Sequence, residues 1–426
     1  MKAVTMMKTR SSVRTFWAKR ENRVVVLRLA VTLAFVIAGA AVGCFSYFIL
    51  SDYEMRLGRT RYDHVADYAA NILVSDFADK RKTILSMAKN MGYFKPDVAS
   101  WPNVAMPGFY DSDVILAEVP SLNDLWFLPI VQPEDLPAFE DFMYGYFDSE
   151  SAIPDGAGIS PSGRGVYSLD ANNINGSYHD TTGVTTQFES PNHILVPMTQ
   201  LLFTSYLRPQ DLAVNVHSVP QIGPALDAII ECSKTTNYSI RGQDCASISS
   251  VLPLPLGSSA IQSFHSVIFQ PIFLNQNASQ LVGFAAGGFD WVEQVTQLFS
   301  MRTPGVMIVV VNGPAVVTFR TTNSALAFLG FGDSHDSKYD RYVHTEYLFP
   351  TATGGDDSAA YKVYISPTDE FFADSETFTP RITAIASGLL IGLFAVVFLM
   401  YDMMVRRESA ARATVLETKR RFVRFI

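Results

Sequence analysis

The hydrophobic pattern changes period along the chain. Leu29–Ser51, "LAVTLAFVIAGAAVGCFSYFILS", and Ile382–Tyr401, "ITAIASGLLIGLFAVVFLMY", are uncharged and apolar almost throughout. A helix needs about 20 such residues to cross the hydrocarbon core of a bilayer. The pattern therefore predicts membrane-spanning helices over 29–51 and 382–404. The first apolar run is too long for a secretory signal and lacks a convincing small-residue cleavage pattern. Beyond it, Tyr62, Val65, Tyr68, Ala69, Ile72 and Leu73 recur at helical spacing, with no proline before Pro96. This predicts a stalk helix over 52–95 that continues the first span. From Pro96 to Ser366 short apolar runs rich in Val, Ile and Phe take over, separated by Gly, Pro, Asn and Asp. "HILVPM" (193–198), "HSVIFQPIFL" (265–274), "GVMIVVV" (305–311), "AVVTF" (315–319) and "AYKVYI" (360–365) read as strands. Helical patterns interrupt them at 132–146, 221–233 and 290–301, so the fold class is α+β, with room for two small domains. Residues 148–190 are rich in Gly, Ser and Asn and read as a surface insertion without a core of its own.

Charge orients this pattern. Residues 1–28 carry eight Lys/Arg against one acid, and 402–426 carry seven against three. Residues 51–380 carry 17 Lys/Arg against 37 Asp/Glu. Basic flanks stay on the cytoplasmic side. Both termini (1–28 and 405–426) are expected inside and residues 52–380 outside. An acidic centre between two basic ends argues against nucleic acid as its partner. The 48% hydrophobic content, with 30 Phe, predicts packed cores and not disorder.

Outside the membrane, an oxidising compartment allows Cys232 and Cys245 to close one loop; two free thiols are the alternative. Cys44 falls within the first span. Asn175-Gly-Ser, Asn237-Tyr-Ser and Asn277-Ala-Ser are glycosylation candidates in the outer segment. Within the spans, Gly39 and Gly43, and Gly388 and Gly392, stand four apart. Small residues at that spacing let helix backbones approach closely.

Catalytic and metal-binding patterns fail on inspection. "DANNING" (170–176) resembles a calcium loop but places Ile174 where an oxygen ligand is required. "GDSHDSKYD" (332–340) offers Asp333, His335, Asp336 and Asp340 in a turn-like polar stretch that reads as a solvated loop. "GFAAGG" (283–288) lacks the Lys-Ser/Thr of a phosphate loop, and its glycines suit close packing in a sheet. No cofactor and no metal are implied.

Three blocks, in order, resemble the CHASE domain, the ligand-binding module of many receptor histidine kinases. "LWFLPIVQPEDLPAFEDF" (125–142) is similar to its "W-x-P-x-V … R-x-x-F-E" block through Trp126, Pro129, Val131, Phe139 and Glu140, with Leu136 in place of the usual Arg. "AVNVHSVPQIGPALDAI" (213–229) is similar to "G-x-D-x-x-S-x-P … A-L" through Ser218, Pro220, Ala225 and Leu226. "FQPIFLNQNASQLVGFAAGGFDWVEQV" (269–295) is similar to "P-V-Y … G-Y-x-x-G-x-F-D" through Pro271, Gly283, Phe284, Phe289 and Asp290. The resemblance implies a tandem PAS-like sensor: a CHASE-like region over 96–300 and a membrane-proximal part over 301–380, carried on the stalk and flanked by the two transmembrane helices. It implies an outside small-molecule ligand held at Asn215, where cytokinin receptors have an Asp, against Val251, Leu252 and Leu254 of "SVLPLPL" (250–256). An amide in place of the carboxylate argues against cytokinin itself.

The tail resembles a second element. Residues 400–426 form a helical pattern with Val415, Phe422 and Phe425 on one seam. The ending "KRRFVRFI" (419–426) is similar to the lead-in of the dimerisation helix of histidine kinases, with Phe422 and Ile426 matching. The resemblance implies that a phospho-accepting histidine would follow. It also implies a homodimer and a downstream phosphorelay protein as partners. A receptor nucleotide cyclase, or an adhesion protein without catalytic output, are the alternatives.

Overall fold

The computed structural model describes residues 20–425 except 112–115, 117, 120, 151–152, 154–157, 161–162, 170–177, 181–193, 204–210, 236–244, 256–261, 277–279, 300–302, 314, 323–325, 349–360 and 375. Two compact units are present. One combines the chain up to Arg61 with the chain from Phe372 onward; the other is Tyr62–Phe371.

Helix α1 runs Arg20–Phe94. It ends where Lys95 N–H closes on the Met91 carbonyl and Pro96, lacking an N–H, cannot continue the ladder. Within the Tyr62–Phe371 unit its residues Tyr62, Ala66, Ala69, Leu73, Phe77, Lys80, Ile84, Met87 and Met91 are buried. They recur every three or four positions, the spacing that keeps one helix face against a core.

That face meets two antiparallel sheets. The first contains β1 (Leu122–Pro129), and then come α2 (Leu136–Ser149) and the small hairpins β2 (Ile159–Ser160), β3 (Gly163–Arg164), β4 (Tyr167–Leu169) and β5 (Tyr178–Asp180). Next are β6 (Gln200–Phe203), α3 (Gly223–Thr235), β7 (Ser247–Ile248), β8 (Leu252–Pro255), β9 (Gln262–Phe273), β10 (Leu281–Asp290) and α4 (Trp291–Leu298). Its order is β6-β1-β10-β9-β7, with β8 also on β9. Every residue of β1 is buried, because both sheet faces are covered. Alternation along β10 assigns the faces. Phe289 stacks edge-on against Phe77 of α1 and Gly287 faces Ile84 of α1, while Phe284 and Ala286 join the core of α2 and α3.

The second sheet holds β11 (Val306–Asn312), β12 (Ala315–Thr321), β13 (Leu326–Phe331), β14 (His344–Leu348) and β15 (Tyr361–Pro367), in the order β13-β12-β11-β15-β14, followed by α5 (Asp369–Ala373). Tyr62 of α1 donates to the Ile365 carbonyl at 2.7 Å and sets its ring edge on Phe371. The two sheets are locked together by Trp291, which stacks on Tyr361 at 5.6 Å and donates to Ser266, while Tyr361 donates to the Ser249 carbonyl. The fold is thus α+β, with two PAS-like antiparallel sheets in tandem on a long N-terminal helix.

Helix α6 spans Thr379–Phe425. Both α1 and α6 are long and apolar enough to cross a membrane. Their apolar runs are bare, with Phe45 68% and Leu389 69% exposed, a pattern that water penalises and lipid does not. Gly39 and Gly388 face each other across the pair: a Cβ on Gly39 would stand 3.4 Å from the Gly388 carbonyl, and one on Gly43 would stand 3.0 Å from the Ala384 carbonyl. A Cβ on Gly392 would meet nothing within 4 Å, so that glycine takes no part in this contact.

Two sequence expectations change. The run expected as a strand over 193–198 is extended over its described residues 194–198 but forms isolated bridges only, Val131↔Leu195 and Pro197↔Asn215, because its residues pair alternately with two partners and Pro197 has no N–H. The insertion 148–190 does reach a core: Ile153, Val166 and Tyr167 are buried against α2 and the first sheet.

Candidate functional site

The inner face of the first sheet, turned to α2 and α3, gathers buried polar groups. Its edge is a ledge at Leu212–Ile222, built where the backbone must leave regular structure. Ala213 adopts φ 67°, the left-handed region. The reversal is held by Ala213 N–H to the Met198 carbonyl, Met198 N–H to Val214, Asn215 N–H to Tyr167 and Val216 N–H to Val196. Tyr167 OH donates to the Leu212 carbonyl at 2.9 Å.

Asn215, the ligand residue expected from the sequence resemblance, is buried in this ledge. Its side-chain oxygen accepts the Val196 N–H at 2.9 Å, and its backbone carbonyl accepts from the Ser218 hydroxyl. The amide oxygen is thus already engaged in holding the ledge. Next to it His217, also buried, places Nε2 3.0 Å from Asp227 of α3, while its Nδ1 is enclosed without a hydrogen-bond partner. Val251 is buried, and Leu252 packs on the same core as Val214 and Val216. Leu254 lies in the edge strand β8, where Pro253 and Pro255, which cannot donate to a ladder, are tolerated. Asn215 and Leu252 therefore lie against one core, approached from the ledge and from the sheet edge.

One buried group on this face carries no family resemblance. Asp124 sits in β1 beside a bulge, where the register against β10 shifts between Leu122 and Asp124. Its carboxylate accepts the Gly288 N–H at 2.7 Å. Any Cβ at 288 would fall on that carboxylate, so the glycine is what admits it. Burial pushes the Asp124 carboxyl up to about 7, and the Gly288 N–H offsets part of that rise. Trp126, two residues on and therefore on the same face, lies near enough to favour the charged form; its indole Nε1 makes no hydrogen bond of good geometry. The one sequence signal for Asp124 is an acid inside a strand otherwise buried throughout, "LNDLWFLP".

Cys232 at the end of α3 and Cys245 form a disulfide with 5.6 Å between Cα atoms, and Cys44 is free. Asn175, Asn237 and Asn277 lie outside the described residues. His335 pairs with Asp333 and Asp340, and Lys338 pairs with Asp336 and Asp369, so the polar loop 332–340 is an exposed ion-pair network. Among the described residues no group of three or more His, Cys, Asp or Glu could hold a metal ion.

No family profile matches the chain, and no curated protein matches it in sequence. Among solved structures, it is similar to the periplasmic sensory domain of the Campylobacter jejuni chemoreceptor Tlp1, at 11% identity and a TM-score of 0.33, over 77% of this chain and 99% of that one. It is also similar to the periplasmic domain of Vibrio cholerae LuxQ, at 10% identity and a TM-score of 0.25, over 72% of this chain and 100% of that one. At these scores neither likeness bears on ligand or output.

Proposed function

We propose that the chain is the sensing and membrane-spanning part of a receptor that takes a small molecule outside the cell, with residues 405–426 opening a cytoplasmic signalling helix. The observation that carries the reading is Asp124. A carboxyl enclosed in a sheet face, met by one backbone N–H and, among the described residues, by no cation, is costly for the fold alone and typical of a site kept for chemistry or recognition. Asp124 would accept from a ligand N–H group and the Trp126 indole would donate to a ligand acceptor. In this reading the ledge at Asn215 and His217 would close one side, with Val251 and Leu252, and Leu254 by the CHASE resemblance, as apolar walls. The CHASE resemblance and the 419–426 lead-in favour a homodimeric histidine kinase, signalling to a phosphorelay protein, as the whole receptor. Ligand would bias the sensor only through differential affinity for its two states.

A thermal-shift screen of the full chain in detergent, against amine- and amide-bearing metabolites, tests this. A true ligand at about 100 times its dissociation constant adds about 2.7 kcal/mol, and Asp124→Asn should remove that gain. A panel without any stabilising member, or a shift unchanged in the variant, refutes the site.

A further inference from the structure

Gly39 and Gly388 bring the backbones of the two apolar helices together, and Phe35 and Phe398 meet ring to ring at 6.1 Å. Beside these rings, on the side toward Arg20 and Phe425, lies a groove of about 410 Å³ walled by Leu29, Leu33, Val36 and Leu399. From Leu29 to Val36 its apolar wall extends about 10 Å at 1.5 Å per residue, roughly a third of the ~30 Å hydrocarbon core. That takes the upper part of one acyl chain.

The mouth of this groove is charged and unbalanced. Asp402 holds Arg28 at 2.9 Å and Arg406 at 3.2 Å. One carboxylate shared by two guanidiniums leaves one net positive charge. Each guanidinium offers five N–H donors. We propose that the groove binds an anionic phospholipid, with one acyl chain along Leu29, Leu33, Val36 and Leu399 and the phosphate on Arg28 and Arg406. An apolar slot with a net cation at one end matches the two chemistries of that amphiphile. A second copy of this chain fits less well. Seated symmetrically on the same face, it would set its own surplus arginine charge against the first.

The test uses the full chain in mild detergent, with lipid retention read by native mass spectrometry. Phosphatidylglycerol should be retained about fivefold over phosphatidylcholine of the same acyl chains, as about one net charge near the surface would give. Arg28→Gln with Arg406→Gln should bring that ratio to about one, and Lys at both positions should preserve most of it. Leu33→Trp, which fills the groove and leaves both arginines, should lower retention of phosphatidylglycerol. Glycerol phosphate, the free headgroup, should fail to compete. Equal retention of the two lipids overturns the proposal. So does displacement by glycerol phosphate, or efficient disulfide cross-linking of Thr32→Cys between copies.

Discussion

The most direct test of the buried face concerns Asp124 and pH. Its folded carboxyl is pushed up to about 7, against an ordinary value of ~3.9 in the unfolded chain. Between these values the folded state binds the extra proton, so stability must fall as pH rises. At pH 5 the folded carboxyl is still protonated; by pH 8 it is charged in a buried site. Over that interval the loss attributable to this group is about 3 kcal/mol, from two pH units at about 1.4 kcal/mol each. The unit Tyr62–Phe371 has 310 residues. At about 2.1 cal/mol/K per residue its unfolding entropy is about 0.65 kcal/mol/K, so the loss equals a fall in Tm of about 4 °C. Other groups also titrate, and the comparison is therefore with Asp124→Asn, which keeps an acceptor for Gly288 N–H and does not titrate. Melting followed by tryptophan fluorescence should show the variant gaining about 4 °C on the parent between pH 5 and pH 8. A difference between the two proteins that stays constant across that range refutes the argument.

Four further outcomes follow from packing. Gly288→Ala should destabilise by about 1–3 kcal/mol through overpacking against Asp124, and adding Asp124→Ala should recover part of the loss, giving a non-zero coupling in a double-mutant cycle. Asn215→Ala leaves the buried Val196 N–H without its acceptor and should cost about 1–3 kcal/mol in denaturant unfolding, whereas Asn215→Asp keeps that bond. Lys80, fully buried on α1, is paired with Asp76 and Gln294 and lies over the rings of Phe77 and Phe289; burial draws its ammonium below the usual lysine range, against the pull of Asp76. Lys80→Ala should cost about 3 kcal/mol and Lys80→Met less, since Met keeps the apolar stem. Reducing Cys232–Cys245, which closes a span of 13 residues, should cost about 3 kcal/mol, read as a Tm drop under reductant.

Much of the architecture was legible because it is written in local period. The uncharged runs, the 3.6-residue face from Tyr62 onward and the strands at 265–274, 305–311, 315–319 and 360–365 each carry their own signal over a few residues. The extended run 194–198 misled because apolar content says nothing about which partner each N–H finds; here the partners alternate between Val131 and the ledge. The buried Val166 and Tyr167 were hidden among glycines and serines that only tertiary contacts distinguish. The site was less legible still. Asn215 stood out through a resemblance, yet its side-chain oxygen is tied to Val196 N–H, a bond invisible in the motif. The environment of Asp124 depends on Gly288, 164 positions away. No window of neighbouring residues reveals a carboxylate whose room is made by a distant missing side chain.

The face of α1 that runs from Tyr62 to Met91 also limits how this protein can change in length. Tyr62 is tied to the second sheet at Ile365 and Phe371, and Phe77 and Ile84 to the first at Phe289 and Gly287. One residue inserted between Tyr62 and Phe77 would turn every later side chain by about 100° and advance it about 1.5 Å. Either sheet's contacts would then face outward. Seven residues restore the direction to within about 20° but lengthen the helix by about 10 Å, more than the Trp291–Tyr361 stack between the sheets can follow. Relatives of this chain should therefore vary freely in the loops and hairpins yet keep the count from Tyr62 to Phe77 fixed, so that helix length serves as a ruler for recognising them.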